Sequence, residues 1–409
     1  MTQKLNILKK KKSEHKISKI NFLKKNIKKL MGIFKSFASD HQTLIYKTNF
    51  PFLFEKKLEI KLNQFPQNYE IKPFKNNYKF DELLRKKIQI TSYSNKSKFI
   101  NFLEYILPKA LPNYAVESFK KMYIYTDKIN FPKKPKNIFT SLGFAYDEIF
   151  KIYVAKKVDQ GSKYFVCQHG NNYFSSIYLN NITELKTSDN FFSWGRVNNK
   201  KSIPLFNTNT LNDSKTDSFK SKLTIVQQDI GKAAILYSQN FYNKNEINST
   251  FQIYNNFSKK IQKETIFKLH DTYNNFFDSF YYKKYFENKK YNLALDSKHL
   301  QQTKIFLFTY ESTGLLENLN KGIPSVCYLD NSFHHINNEY IKFYKLLLDA
   351  KIIFFDQKKL INHIEKYWDN LEPWWNDKKV RKNIDNFNLI FNNKFTEKKL
   401  KKLVNILKK

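Results

Sequence analysis

Residues 304–329 read KIFLFTYESTGLLENLNKGIPSVCYL, and this stretch decides the fold. Lys304-Ile305-Phe306-Leu307-Phe308 is a short, almost wholly apolar run of the kind that forms a buried strand. Leu315, Leu316 and Leu319 then recur at helical spacing. Gly322 supplies a helix stop, Pro324 bars continuation, and Val326-Cys327-Tyr328-Leu329 returns as a second buried run. A strand, a helix and a strand joined by short connections form a βαβ unit, the building block of a parallel sheet.

The same grammar extends outward. Leu223-Thr224-Ile225-Val226 and Thr265–Leu269 read as strands upstream, and Lys351-Ile352-Ile353-Phe354-Phe355 as one downstream. Asp356 then stands where an N-cap opens a helix with the apolar face Leu360, Ile361, Ile364, Tyr367 and Trp368. In the first half, Asn137–Thr140 is a strand. Ile149, Phe150, Tyr153, Val154 and Val158 mark a helix stopped near Gly161, and Tyr164-Phe165-Val166-Cys167 is the return strand. Phe99, Phe102, Leu103, Ile106 and Leu107 form a stripe, which places a further helix from Lys98 to Pro108 or Pro112. From Gln42 to Lys98, Pro51, Pro66 and Pro73 interrupt any secure periodicity. The expected architecture is α/β, with two Rossmann-like domains facing a cleft. They cover residues 41–206 and 219–380, with the polar stretch Asn207–Ser218 as the natural linker. A basic leader over 1–40 precedes them and a helical tail over 381–409 follows.

The chain has 409 residues, 41% hydrophobic and 17% aromatic, enough to bury sizeable cores, which excludes disorder throughout. Two cysteines, Cys167 and Cys327, exclude a disulfide framework and a four-thiolate zinc site. No apolar run approaches the roughly 20 residues that cross a bilayer, and no signal-peptide pattern opens the chain. A soluble, cytoplasmic protein of a reducing compartment is expected, peripheral to the inner face of the plasma membrane if the leader binds there. The charge balance is lopsided, with 72 Lys and Arg against 36 Asp and Glu, a net of +36. Such a field draws polyanions: nucleic acid, anionic headgroups or phosphorylated substrates. Abundant Lys, Asn, Ile, Phe and Tyr also match an A/T-rich coding bias, so charge alone identifies no partner. In the leader, Lys9–Lys12 precedes Ile20, Leu23, Ile27, Leu30 and Phe34 at helical spacing. That pattern suits a helix on an anionic membrane surface, and equally a docked helix or a poorly ordered arm.

Chemistry-bearing residues cluster after strands, where ligands sit in open α/β sheets. Gln168-His169-Gly170-Asn171-Asn172-Tyr173 follows the strand ending at Cys167. Gly170 permits a tight turn, and His169 is suited to taking a proton from a hydroxyl nucleophile, or to holding the turn by a hydrogen bond. Thr309-Tyr310-Glu311-Ser312-Thr313 precedes the helix carrying Glu317. The helix N-terminus with the Ser312 and Thr313 hydroxyls makes an anion site suited to a diphosphate, and Glu317, one turn on, suits two ribose hydroxyls. An ordinary N-cap and a solvated carboxylate fit the same residues. Lys268 and His270 alternate at a strand end and suit a phosphate. Asp189 is a candidate for shaping the cleft, while Trp194 and Trp374-Trp375 read as packing residues. No metal spacing stands out: His334 and His335 are adjacent and diverge, and there is no Asp-x-Asp pair. The chain also lacks a Gly-x-Gly-x-x-Gly loop and a P-loop, which argues against dinucleotide redox and NTPase chemistry.

Taken in order, these motifs resemble those of the transferases encoded in O-antigen and other surface-polysaccharide clusters. The resemblance rests on Leu111-Pro112-Asn113-Tyr114 with Glu117, Pro135-Lys136-Asn137-Ile138, Gln168-His169-Gly170-x-x-Tyr173, and Ser188-Asp189 with Trp194-Gly195. In the second half it rests on Lys268-Leu269-His270-Asp271, Ser312-Thr313 with Glu317 and Ile323-Pro324, Asp349-Ala350-Lys351-Ile352, Trp368-Asp369 and Trp374-Trp375. It spans roughly Leu111 to Asn392. The family usually continues Gln-His-Gly with a second glycine and closes the motif with Tyr-Gly; Asn171 and Phe174 stand at those places here.

The resemblance implies a GT-B-like, metal-independent transferase with the acceptor in the N-terminal domain and a nucleotide-activated donor, as substrate, in the C-terminal one. A similar layout occurs in the CDP-glycerol and Kdo transferases. It implies His169 as base, with Asp189 a further catalytic candidate, Lys268 and His270 as diphosphate clamp, Ser312 and Thr313 on phosphate, and Glu317 on ribose. Gln168, Gly170, Asn171, Asn172 and Tyr173 would form the acceptor loop. The partners implied are a nucleotide-sugar and a glycan or lipid-linked glycan. No cofactor and no metal are expected. Two other readings remain: a non-catalytic membrane-associated scaffold, motivated by Asn171 and Phe174, and a nucleic-acid binder. The latter has the charge but no helix-turn-helix, zinc-finger or RRM-type signature.

Overall fold

The computed structural model describes residues 42–75, 78–88, 97–177, 182–211, 220–227, 244–268, 300–330 and 332–409. The basic leader, His270 and most of the proposed linker lie outside them. Two compact units are found, Met1–Thr48 with Phe52–Phe165 and Val404–Lys409, and Asn49–Pro51 with Val166–Leu403.

The first part of the chain runs β1 (Thr43–Tyr46), α1 (Phe52–Lys61), α2 (Glu82–Lys86), α3 (Lys98–Ala110), α4 (Phe119–Tyr125), β2 (Asn137–Thr140), α5 (Gly143–Tyr146), α6 (Glu148–Asp159) and β3 (Lys163–Cys167). Next come α7 (Thr183–Thr187), β4 (Asn190–Ser193) and β5 (Ser202–Pro204). These five strands form one sheet in the order β1-β2-β3-β4-β5. β1, which the proline-broken sequence concealed, pairs in parallel with β2 from Thr43↔Asn137 to Tyr46↔Thr140. Its other edge is satisfied by glutamine side chains. Gln64 Oε1 accepts from Thr43 N at 2.8 Å, and Gln67 both accepts from Ile45 N at 2.9 Å and donates to Thr43 O at 2.8 Å. An edge so capped has few backbone groups left to recruit another strand.

The second part runs β6 (Lys222–Val226), α8 (Lys244–Asn255), α9 (Lys259–Glu264), β7 (Thr265–Lys268), β8 (Thr303–Phe308), α10 (Thr313–Lys321), β9 (Ser325–Tyr328), α11 (Asn338–Asp349), β10 (Ile353–Phe354), α12 (Gln357–Tyr367), α13 (Glu372–Trp375), α14 (Lys378–Phe391) and α15 (Glu397–Lys408). Its strands form a second parallel sheet, ordered β10-β9-β8-β6-β7. The stretch that opened the sequence reading is the β8-α10-β9 unit of this sheet. Ser312 caps α10, its Oγ accepting from Gly314 N at 3.0 Å, and Gly322 ends the helix at φ 72, a left-handed conformation that glycine adopts without a Cβ penalty. Asp356 is the N-cap of α12, accepting from Lys359 N at 2.8 Å.

The chain leaves β6 for β7 on one side and takes up β8 on the other. The strand order therefore reverses between β6 and β8, and in open α/β sheets ligands bind outside the carboxyl ends of the strands at such a point. Val226 lies level with Phe308, so Gln227 and the 309–313 turn flank that point. The two tryptophans of α13 pack as expected, donating from Nε1 to Ala350 O at 2.9 Å and to Gly322 O at 3.0 Å. α14 packs on α11 and α10 rather than trailing from the sheet. Asn392 at its end is fully buried and donates to the Leu316 carbonyl of α10 at 2.5 Å.

Candidate functional site

The loop after β3 is built from its own polar residues. Gln168 is buried, accepts from Trp194 N at 2.8 Å and donates to Gly170 O at 2.9 Å, so it ties the loop to the end of β4. Gln168 N also donates to Phe192 O at 2.9 Å. Behind this joint, Trp194 is wholly buried, and a Cβ on Gly195 would fall 2.0 Å from Ile390 O, so only glycine lets β4 approach α14 so closely. Asn172 and Phe174 both sit at φ 68. For Phe174, which stands where the related family carries glycine, that conformation is strained, and its ring packs on Phe191 at 5.7 Å.

His169 is the centre of a relay. Tyr173 Oη lies 2.8 Å from His169 Nδ1 and donates to Glu184 Oε1 at 2.8 Å. A phenol has one proton, and an ionised carboxylate only accepts. With that proton on Glu184, Nδ1 must carry the imidazole hydrogen and the lone pair falls on Nε2. Burial lowers the His169 pKa to about 4, so the ring is neutral at pH 7. Asn49 Nδ2 holds the His169 carbonyl at 3.1 Å.

This loop meets the β8–α10 turn directly. Asn171 N donates to Thr313 Oγ1 at 3.0 Å, and Asn171 Nδ2 reaches Glu311 Oε1 at 3.2 Å. Glu311 is buried and collects donors from four directions. His335 Nε2 lies at 2.8 Å, and the Tyr344 hydroxyl donates to the same carboxylate. Asn172 turns its amide nitrogen toward both carboxylate oxygens at 3.1 and 3.2 Å. Burial pushes the Tyr344 phenol pKa far up, so it stays a donor. A second strap runs alongside: Asn337 Nδ2 donates to Phe174 O at 2.6 Å, and Ile177 N to His335 O at 2.9 Å. The sequence reading quoted Glu311 within the 309–313 constellation without giving it a role, set His335 aside as a metal ligand, and passed over Tyr344 and Glu184. Their partners lie 11 to 140 residues away, so no local spacing announced their roles.

The other candidates lie as follows. Glu317 accepts from Asn209 Nδ2 at 3.0 Å; burial raises its pKa, and Asn209, Lys321 and Lys268 oppose that rise. Lys268 ends β7, and its carbonyl accepts from Gln227 N at 3.0 Å. Gln227, also missed, is buried at the strand-order reversal, and its Nε2 has no partner among the described residues. Ser312 serves as the α10 N-cap, and Thr313 Oγ1 accepts from the 168–174 loop while keeping its own hydroxyl proton. Asp189 is not brought to this cluster. It is exposed just before β4, at the amino end of that strand, whereas His169 follows the carboxyl end of β3. His270 lies outside the described residues. Among the described residues, no group of three or more His, Cys, Asp or Glu is arranged to hold a metal ion, and no helix is long and apolar enough to cross a membrane.

A family model described as "LIC12162 family transferase" matches residues 1–407. No curated protein matches the chain. Among solved structures, the chain is similar to the spinosyn rhamnosyltransferase SpnG, at 10% identity and a TM-score of 0.38 over 71% of this chain and 76% of that one. It is also similar to WaaG, a glycosyltransferase involved in lipopolysaccharide biosynthesis, at 11% identity and a TM-score of 0.34 over 89% and 99%.

Proposed function

We propose that this chain, which belongs to the LIC12162 family of transferases, moves a sugar or sugar-like group from a nucleotide-activated donor to a hydroxyl of a glycan or lipid-linked glycan. The observation that carries the reading is the Glu184–Tyr173–His169 relay on a loop hydrogen-bonded to the β8–α10 turn. In the reaction, the acceptor oxygen attacks the anomeric carbon and the bond from that carbon to the diphosphate breaks. His169 Nε2 takes the acceptor proton, and the electron pair of the broken bond leaves on the nucleoside diphosphate. The developing charge falls to the N–H groups of α10, the Ser312–Thr313 turn and Lys268, a donor set that stabilises an anion without a metal. Gln227 offers a buried N–H at the same strand ends. Glu317 is the group for the ribose.

Surface-glycan biosynthesis at the inner membrane face, with a GT-B division of labour between donor and acceptor halves, is the setting this reading favours. The test is a thermal-shift titration of the full chain with UDP, GDP, CDP, CMP and dTDP. One nucleotide should raise Tm, by an amount equivalent to about 2.7 kcal/mol at a hundredfold excess over Kd. Lys268→Ala and Glu317→Ala should each weaken that response. If no nucleotide shifts Tm, the donor reading fails.

A further inference from the structure

Helix α3 is amphipathic: Ile100, Leu103 and Ile106 on its inner face are half-buried, and none of its side chains is fully buried. Its C-terminal end is held by a charged clamp. Arg85 of α2 is buried and grips Glu117 twice, Nε to Oε1 at 2.6 Å and Nη2 to Oε2 at 2.8 Å. Its Nη1 donates to the carbonyls of Pro108 at 2.8 Å and Leu111 at 2.7 Å, and Nη2 reaches Asn113 Oδ1 at 3.1 Å. The end of α3 is therefore fixed through its backbone, and its aromatic residues are not spent on packing. Asn113 and Glu117, prominent in the sequence motif, serve this clamp.

The consequence is an outward apolar face. Phe99, Phe102 and Tyr105 are 64%, 58% and 63% exposed, and Leu83 on neighbouring α2 is 73% exposed. At 100° per residue, Lys98, Phe102, Tyr105 and Lys109 share one narrow stripe, lysine at each end and aromatic rings between. Lys109 Nζ stands 3.6 Å from the Tyr105 ring centroid. Aromatic rings bordered by lysines on an exposed helix face suit the boundary between headgroups and acyl chains.

We propose that the α2–α3 face seats on an anionic lipid bilayer, with Phe102 and Tyr105 entering the interface and Lys98 and Lys109 meeting headgroup phosphates. Charge selects this occupant. A second copy would set the same lysines against themselves. The leader, with twelve lysines against Glu14 and Asp40, carries charge of the same sign as these lysines. Anionic headgroups complement both. The inference rests on the proposed lipid-linked acceptor, but its test contains neither donor nor acceptor, so the two readings fail separately.

The experiment is co-sedimentation of the full chain with vesicles of phosphatidylcholine, alone or mixed with phosphatidylglycerol. Binding is expected to the mixed vesicles only. Lys98→Glu and Lys109→Glu should each weaken it by about fivefold or more, and Phe102→Ser with Tyr105→Ser by about tenfold. Because the four native tryptophans are buried, Phe102→Trp gives a surface reporter whose emission should shift to the blue and be quenched by brominated lipid. Three results would overturn the proposal: no binding to anionic vesicles, undiminished binding by the serine variant, or binding of the Phe102→Trp variant that leaves its indole emission unquenched and so runs through the leader.

Discussion

His169 illustrates how much of a residue's chemistry is set by neighbours that the sequence does not display. A histidine after a buried strand was legible as a candidate base, but its tautomer was not. That comes from Tyr173 four residues on and from Glu184, which anchors the phenol. The depressed pKa has two consequences. For activity, the ring stays unprotonated well below neutrality, so transfer should show no acid limb near pH 6.5, and any limb set by His169 should lie near pH 4. A pH–rate profile checks this, and a limb at 6.5 lost in the His169→Ala variant would contradict it. For stability, the unfolded chain binds a proton at about 6.5 that the folded chain refuses until about 4. His363, lowered to about 4 by burial and nearby lysines, behaves alike. The fold is therefore undisturbed by these groups above pH 6.5 and loses stability as pH falls from there toward 4, by on the order of 3 kcal/mol per histidine at most. Urea titrations at pH 7 and pH 4.5 measure it.

Among the elements, the regular ones were legible and the lacing between them was not. β8, α10 and β9 follow from an apolar run, a leucine period and a glycine stop, because burial and backbone geometry act over neighbouring residues. β1 was not legible, since a four-residue strand capped by Gln64 and Gln67 has no period to read. The α3 stripe was read correctly as a helix, yet periodicity could not say that Arg85 would hold it from behind. Glu311 is the clearest case of hidden lacing. Asn171, Asn172, His335 and Tyr344 all present donors to it. Glu311→Gln replaces one acceptor oxygen by a donor facing donors. We expect a loss of about 2–4 kcal/mol in urea unfolding, with a raised KM as the 168–174 loop loosens. Unchanged stability would mean the carboxylate is not the hub.

For the whole molecule, the parallel α/β character was written in the sequence as repeated strand–helix–strand grammar, and the two five-stranded sheets bear it out. The strand order was not written there, because short apolar runs do not state their neighbours. It is the order β10-β9-β8-β6-β7 that sets Gln227, Lys268 and the 309–313 turn at the same strand ends. The net charge of +36 belongs to this scale as well. It favours anionic substrates and surfaces without naming one.

The proposed sugar transfer depends on His169 as proton acceptor, oriented through Tyr173. The direct measurement is single-turnover transfer by the wild type, His169→Ala and Tyr173→Phe, with the nucleotide-sugar whose nucleotide raises Tm. Loss of the imidazole should slow transfer by about a hundredfold or more while nucleotide binding persists. Tyr173→Phe should fall between the two, because Nδ1 loses its orienting oxygen. Wild-type transfer by His169→Ala would contradict the account.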